Sequence, residues 1–253
     1  MRLRQLPLAL LLSCATLFAQ SFTPVREQKN LSPAAVAKLH TLETLNSLPA
    51  GQWRFHAGDI PHGESVSLDD SSWTLVEPKS KAPHEAVWYR RTIEVPKTLN
   101  GYDITGARIW FQFRSDANGA VPEIIYFNGR RVALGEDLEP IILFEPAKPG
   151  DKVVVAVKLL NTVDDKTFSG VRLTVEPDPS ATSGRPSPDD VRIQCLTAAN
   201  LLPALPTPRK DLLPKVEEAV AAIDTNALAA GDQVAFDKSL RNAQQILTTL
   251  QPV

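Results

Sequence analysis

From Val87 to Gly129 the chain reads VWYRRTIEVP, then a short polar break, then ARIWFQFRSDANGAVPEIIYFNG. Aromatic and β-branched residues alternate with polar ones in strand-length blocks, and the last block runs into Asn128-Gly129. A period of two gives a strand one apolar and one polar face. Asn-Gly tolerates the positive φ that a tight hairpin asks of both central residues. The segment predicts a mainly β protein, an antiparallel β-sandwich or jelly roll.

The flanking sequence extends that reading. Strands are expected at 52–57, 88–95, 108–114, 124–127, 131–134, 141–144, 153–159 and 170–175. Asp69-Asp70-Ser71-Ser72-Trp73 and Pro149-Gly150-Asp151 serve as turns. Short strands at turn-punctuated spacing argue for a sandwich over 51–176. Within a lead-in segment (20–50), Ser32-Pro33 opens a helix, with Ser as cap and Pro at the first helical position. Val36, Leu39, Leu42 and Leu45 line one face of that helix, which is expected to pack on the sandwich. Residues 177–189 are rich in Pro, Ser, Asp and Thr and read as a linker.

Beyond the linker, over 190–253, the pattern turns helical. Leu212, Leu213, Val216, Val220 and Ile223 form one stripe; Phe236, Leu240, Ala243, Leu247 and Leu250 form a second. They predict a C-terminal α-helical hairpin. Two helices alone bury too little surface to be stable. Their apolar faces call for a partner: the sandwich, another copy, or a catalytic domain downstream.

The first 19 residues have the form of an export signal. Arg2 and Arg4 precede an apolar run from Leu6 to Leu12, and Leu17-Phe18-Ala19 offers a cleavage point. The run is too short to span a bilayer. A periplasmic or extracellular product is expected. Cys14, placed after the apolar run, leaves lipidation as an alternative. Simple cleavage leaves only Cys195, so no intrachain disulfide is expected. A net charge of −2 without a basic run argues against a nucleic-acid partner.

The order of motifs resembles the sugar-binding, galactose-binding-like sandwich of glycoside hydrolase family 2. An Asp-x-x-Trp turn (Asp70 to Trp73) precedes an aromatic-Tyr-Arg strand ending in Val-Pro (Trp88 to Pro96). A strand entering a polar loop follows (Trp110 to Gly119), then a hairpin strand ending in Asn-Gly (Ile125 to Gly129). A Lys-Pro-Gly-Asp turn and a Val-rich strand ending in Asn close the set (Lys148 to Asn161). The overall plan also resembles the N-terminal region of bacterial family 38 α-mannosidase-like proteins, although the His-x-Asp metal motif of that catalytic domain is absent from this sequence. The resemblance implies an exported, non-catalytic carbohydrate-binding or scaffolding module, or the N-terminal part of a glycoside hydrolase whose catalytic domain lies elsewhere. It implies sugar contacts at Tyr89, Arg91, Asp116 and Asn118.

No catalytic constellation is legible. His40, His56, His62 and His84 lack zinc spacing, and Ser115 has no recognisable base. The acid pairs Asp69-Asp70, Asp164-Asp165 and Asp189-Asp190 suit turns and caps, since adjacent acids point apart. No cofactor is expected; a structural calcium is conceivable on loop oxygens, without a supporting motif. Most of Trp53, Trp73, Trp88, Tyr89, Trp110 and Tyr126 should fill the core, with Trp73 acting as a lid.

Overall fold

Asn128 and Gly129 both hold positive φ, at 49° and 79°, the conformation of a type I′ hairpin. They join β7 (Glu123–Phe127) to β8 (Arg130–Gly135). Around this hairpin the computed structural model describes residues 29–177 and 185–250. The leader, Cys14 and residues 178–184 lie outside the described residues.

The remaining strands are β1 (Ser47–Leu48), β2 (Trp53–Ala57), β3 (Thr74–Val76), β4 (Ser80–Ala82), β5 (Val87–Glu94), β6 (Arg108–Asp116), β9 (Ile141–Phe144), β10 (Lys152–Leu159) and β11 (Lys166–Glu176). Every pairing is antiparallel. One sheet runs β1-β11-β6-β9, with β4 also on β11; the other runs β3-β2-β5-β10-β7-β8. Between them lies an aromatic core. Trp53, fully buried, sits 6.0 to 6.3 Å from the rings of Phe111, Phe113 and Phe168. Phe113 and Phe168 stack at 5.0 Å. The fold is therefore a β-sandwich, mainly antiparallel, followed by helices.

β5 departs from simple alternation, since Val87, Trp88, Tyr89 and Arg90 are all buried. Tyr89 faces the inter-sheet core. On the opposite face, Trp88 and Ala156 are covered by Trp73, with Ile60 and Leu68 beside them. Segment 58–73 is thus folded over the outside of this sheet. Arg90 Nη1 donates to Gly63 O at 2.6 Å and its Nε to Asp70 Oδ2 at 3.0 Å. Arg54 Nη1 donates to Trp73 O at 3.1 Å. Asp69 Oδ1 accepts the Ser71 N–H at 3.0 Å, an Asx turn. Both faces of the strand's first half are thus buried, and Arg90 is accommodated there by its bonds to Gly63 O and Asp70.

A second unit is helical and takes in residues 29–46, 100–103 and 185–250. Its helices are α1 (Pro33–Glu43), α2 (Pro188–Leu201), α3 (Leu213–Ala221), α4 (Thr225–Ala229) and α5 (Gln233–Thr248). Ser32 caps α1 by accepting the Ala35 N–H, and Ser187 caps α2 by accepting the Asp190 N–H. α1, expected as a lead-in helix, belongs to this unit and packs on α2 and α3. Lys38 Nζ donates to Ala221 O and Ile223 O at 2.8 and 2.7 Å, closing the end of α3. α3 and α5 pack on each other as the C-terminal hairpin that the sequence predicts, and their partner lies within the chain. α2 packs on both α3 and α5, so the two stripes meet Val191, Cys195 and Ala199 within the chain. The predicted linker also ends early, because α2 begins at Pro188 and Arg185 is already anchored to Asp237 at 3.0 Å. Among the described residues no helix is long and apolar enough to cross a membrane.

Candidate functional site

Three loops meet at one end of the sandwich: 83–86 between β4 and β5, 117–122 between β6 and β7, and 160–165 between β10 and β11. Loop ends of a sandwich are rigidly based yet solvent-facing, which suits recognition. Asn118 Nδ2 donates to Asp164 Oδ2 at 3.1 Å, across 46 residues of chain. Asp116, exposed at the end of β6, accepts the Ser169 hydroxyl. Thr162 Oγ1 donates to Asp164 O at 2.7 Å, and its N–H to His84 O at 2.8 Å. Asp165 Oδ1 accepts the His84 N–H at 3.1 Å and lies 3.6 Å from His84 Nδ1. Asp164 and Asp165 thus point to different loops, as adjacent acids in a turn do.

Lys166 anchors the base of this cluster. It is fully buried, and its Nζ donates to Glu85 O at 2.6 Å, His84 O at 3.0 Å and Leu160 O at 3.1 Å. Burial lowers its pKa, while the charges of Glu85 and Asp165 oppose that shift.

The four residues expected to touch sugar separate into two groups. Asp116 and Asn118 lie at this loop end. Tyr89 does not: it is fully buried, 5.3 Å from Phe113 and 4.9 Å from Phe168, so neither ring face is open to a ligand. Burial raises its hydroxyl pKa strongly. Arg91 is a brace. Its guanidinium donates to Pro49 O at 3.1 Å and to Ala50 O, and burial lowers its pKa. Tyr89 is thus corrected from a ligand contact to a core residue. In sequence His84 and Asp164 read only as a lone histidine and a turn acid, and Lys166 drew no reading. Only Asp164, in a polar run after a strand, carried a local signal.

The other aromatic residues and histidines have defined surroundings. Trp88 Nε1 donates to Asp59 Oδ1 at 3.2 Å, and Lys158 Nζ donates to Asp59 Oδ2 at 2.7 Å. Trp110 Nε1 donates to Glu176 Oε2 at 2.9 Å, with the Arg108 guanidinium 5.5 Å from its ring. His56 packs 5.1 Å from Trp73. Among the described residues no group of His, Cys, Asp and Glu is arranged to hold a metal. Cys195 is fully buried, with its thiol pushed up to about 12.

The fold and loop cluster define a β-sandwich module with a polar loop end and a separate helical unit. No family model matches the chain, and no curated protein matches it. Among solved structures it is similar to a glycosyl hydrolase family 2 member from Bacteroides cellulosilyticus, at 20% identity and a TM-score of 0.40, over 51% of this chain and 20% of that one. It is also similar to Bacteroides uniformis β-glucuronidase (18%, TM-score 0.38, 51% and 17%) and to Faecalibacterium prausnitzii β-glucuronidase (14%, TM-score 0.35, 50% and 30%). The chain thus spans at most 30% of the length of these proteins. At these identities and scores the likeness assigns no activity. The family 38 resemblance gains no support from it.

Proposed function

We propose that the sandwich is an exported, non-catalytic carbohydrate-binding module of the kind associated with glycoside hydrolases, and that Asp116, Asn118 and Asp164 form its ligand face. The observation that carries this reading is the exposed Asn118–Asp164 pair, with Asp116 close by in sequence, on loops tied to a rigid β-scaffold. Carboxylate and amide oxygens accept hydrogen bonds from sugar hydroxyls, and the amide can donate in return. Groups already ordered before binding lose little entropy on it.

Binding of plant and microbial polysaccharides on an array, followed by calorimetry on the best ligand, tests the reading. Asp116→Ala and Asn118→Ala are each expected to weaken binding about tenfold, or about 1.4 kcal/mol, with the melting temperature unchanged. Variants that bind as the wild type does would sink the placement of the site. An array on which the wild type binds nothing leaves only a scaffolding role. Export rests on the leader sequence, and N-terminal sequencing of secreted protein checks it. The second reading, the N-terminal part of a larger hydrolase, draws on helical stripes in want of a partner. Those stripes are covered by α2, so they no longer favour it.

A further inference from the structure

Lys166 places a charged group in a fully buried position. An ammonium has three N–H donors and no acceptor. Here three main-chain carbonyls converge on it, from Glu85 at 2.6 Å, His84 at 3.0 Å and Leu160 at 3.1 Å, with Thr162 Oγ1 farther off at 3.5 Å. A shell built only of carbonyl and hydroxyl oxygens is the environment that replaces the hydration of a hard cation. The carboxylates of Glu85 and Asp165 add negative potential around it.

We propose that this is a monovalent-cation site which the chain fills with its own side chain, and that Lys166 is thereby a positioning residue for the loop end. The converging oxygens come from two loops. His84 and Glu85 lie between β4 and β5; Leu160 and Thr162 lie between β10 and β11. Without a positive charge at their centre, the carbonyl dipoles repel; Glu85 O and Leu160 O lose the Lys166 donor, while His84 O keeps the Thr162 N–H. The loops then part, and Asp164 leaves Asn118. The ligand-positioning half of this proposal rests on the carbohydrate-binding reading above; the cation half stands without it.

Lys166→Met removes the ammonium and keeps most of the aliphatic stem, so it tests charge more than packing. The full chain is compared in sodium, potassium, ammonium and tetramethylammonium chloride at one ionic strength. Hydrogen exchange at 83–86 and 160–165 is read alongside carbohydrate affinity. In tetramethylammonium, which has no N–H and is too large for the site, the variant is expected to lose about tenfold or more in amide protection in both loops. Ammonium, potassium or sodium should restore most of it. Wild-type protection of the variant in tetramethylammonium, or an equal response to every salt, overturns the cation site. Affinity that returns with ammonium supports the positioning role; loops that respond while affinity does not overturn that role and leave the cation site standing. If Lys166→Met folds in no salt, Lys166→Gln, which retains an amide donor, is judged by the same criteria.

Discussion

Glu123 shows how one side chain can set the pH response of a sandwich. It stands at the start of β7, is 3% exposed, and its carboxyl is pushed from 4.5 up to about 7. Burial is the main cause, and the nearby charge of Asp137 adds to it; a hydrogen bond from the Leu138 backbone works the other way. The folded state therefore holds this proton more tightly than the unfolded chain does. Its contribution is fully present below pH 4.5 and is lost as pH rises through about 7. At about 1.4 kcal/mol per pH unit, the loss comes to roughly 3 kcal/mol. Glu123→Gln keeps the shape and an acceptor for Leu138 but cannot ionise. Urea unfolding should give the variant and the wild type similar stability at pH 4.5, with the variant ahead by about 2 to 3 kcal/mol at pH 8. Equal pH profiles for the two proteins would refute the assignment.

At the scale of elements, the segment over β5 makes the sharpest prediction. Arg90 is 2% exposed and holds segment 58–73 through Gly63 O and Asp70, with its guanidinium 5.9 Å from the Trp73 ring. Removing Arg90 leaves Gly63 O without its donor and Asp70, 30% exposed, without its partner, at a cost of about 1 to 3 kcal/mol. Arg90→Met is expected to lose that much in urea unfolding, to become cleavable within 58–73 by limited proteolysis, and to red-shift its tryptophan emission. A variant as protease-resistant as the wild type would mean that other contacts hold the segment. This segment also marks where the sequence stops being informative. Alternation located eight strands because each is long enough to show a period, whereas β1, β3 and β4, of two or three residues, are too short to show one. Alternation also tells which residues share a face, but not what covers it. The family resemblance implied a ligand contact at Tyr89, and alternation could not show that this ring faces the core. Asp116 and Asn118 were legible as a polar loop. Their ties to Ser169 and Asp164 were not, because those partners lie 53 and 46 residues away. α2 was missed over small or moderate apolar residues, yet Ser187-Pro188 repeats the Ser32-Pro33 signal that announced α1.

Across the whole molecule, the helical unit draws on three separate stretches of chain. The middle one is only residues 100–103, between two stretches assigned to the sandwich. Its anchor is Tyr102, 1% exposed, with its ring 6.0 Å from Phe236 and the Arg185 guanidinium 4.4 Å from the ring centre. Arg185 also donates to Asp103 O at 2.8 Å and to Asp237, while Gln233 accepts the Asp103 N–H at 3.0 Å. Four residues are thus fixed to both ends of the unit's last stretch, through α5 and through the approach to α2. Cutting a buried aromatic ring back to a methyl group costs about 3 to 5 kcal/mol. Tyr102→Ala is expected to lose about 3 kcal/mol in the unfolding of the helical unit, whereas Tyr102→Phe, which keeps the ring packing, should lose little. The chain itself supplies the means to see this. All four tryptophans, at 53, 73, 88 and 110, lie in the sandwich, and every α-helix among the described residues lies in the other unit. Circular dichroism at the helix band during urea unfolding therefore follows the helical unit, and tryptophan emission follows the sandwich. The alanine variant should lower the helix-band midpoint while native tryptophan emission stays that of the wild type. A helix-band midpoint that does not move would show that residues 100–103 contribute no stability to the helices.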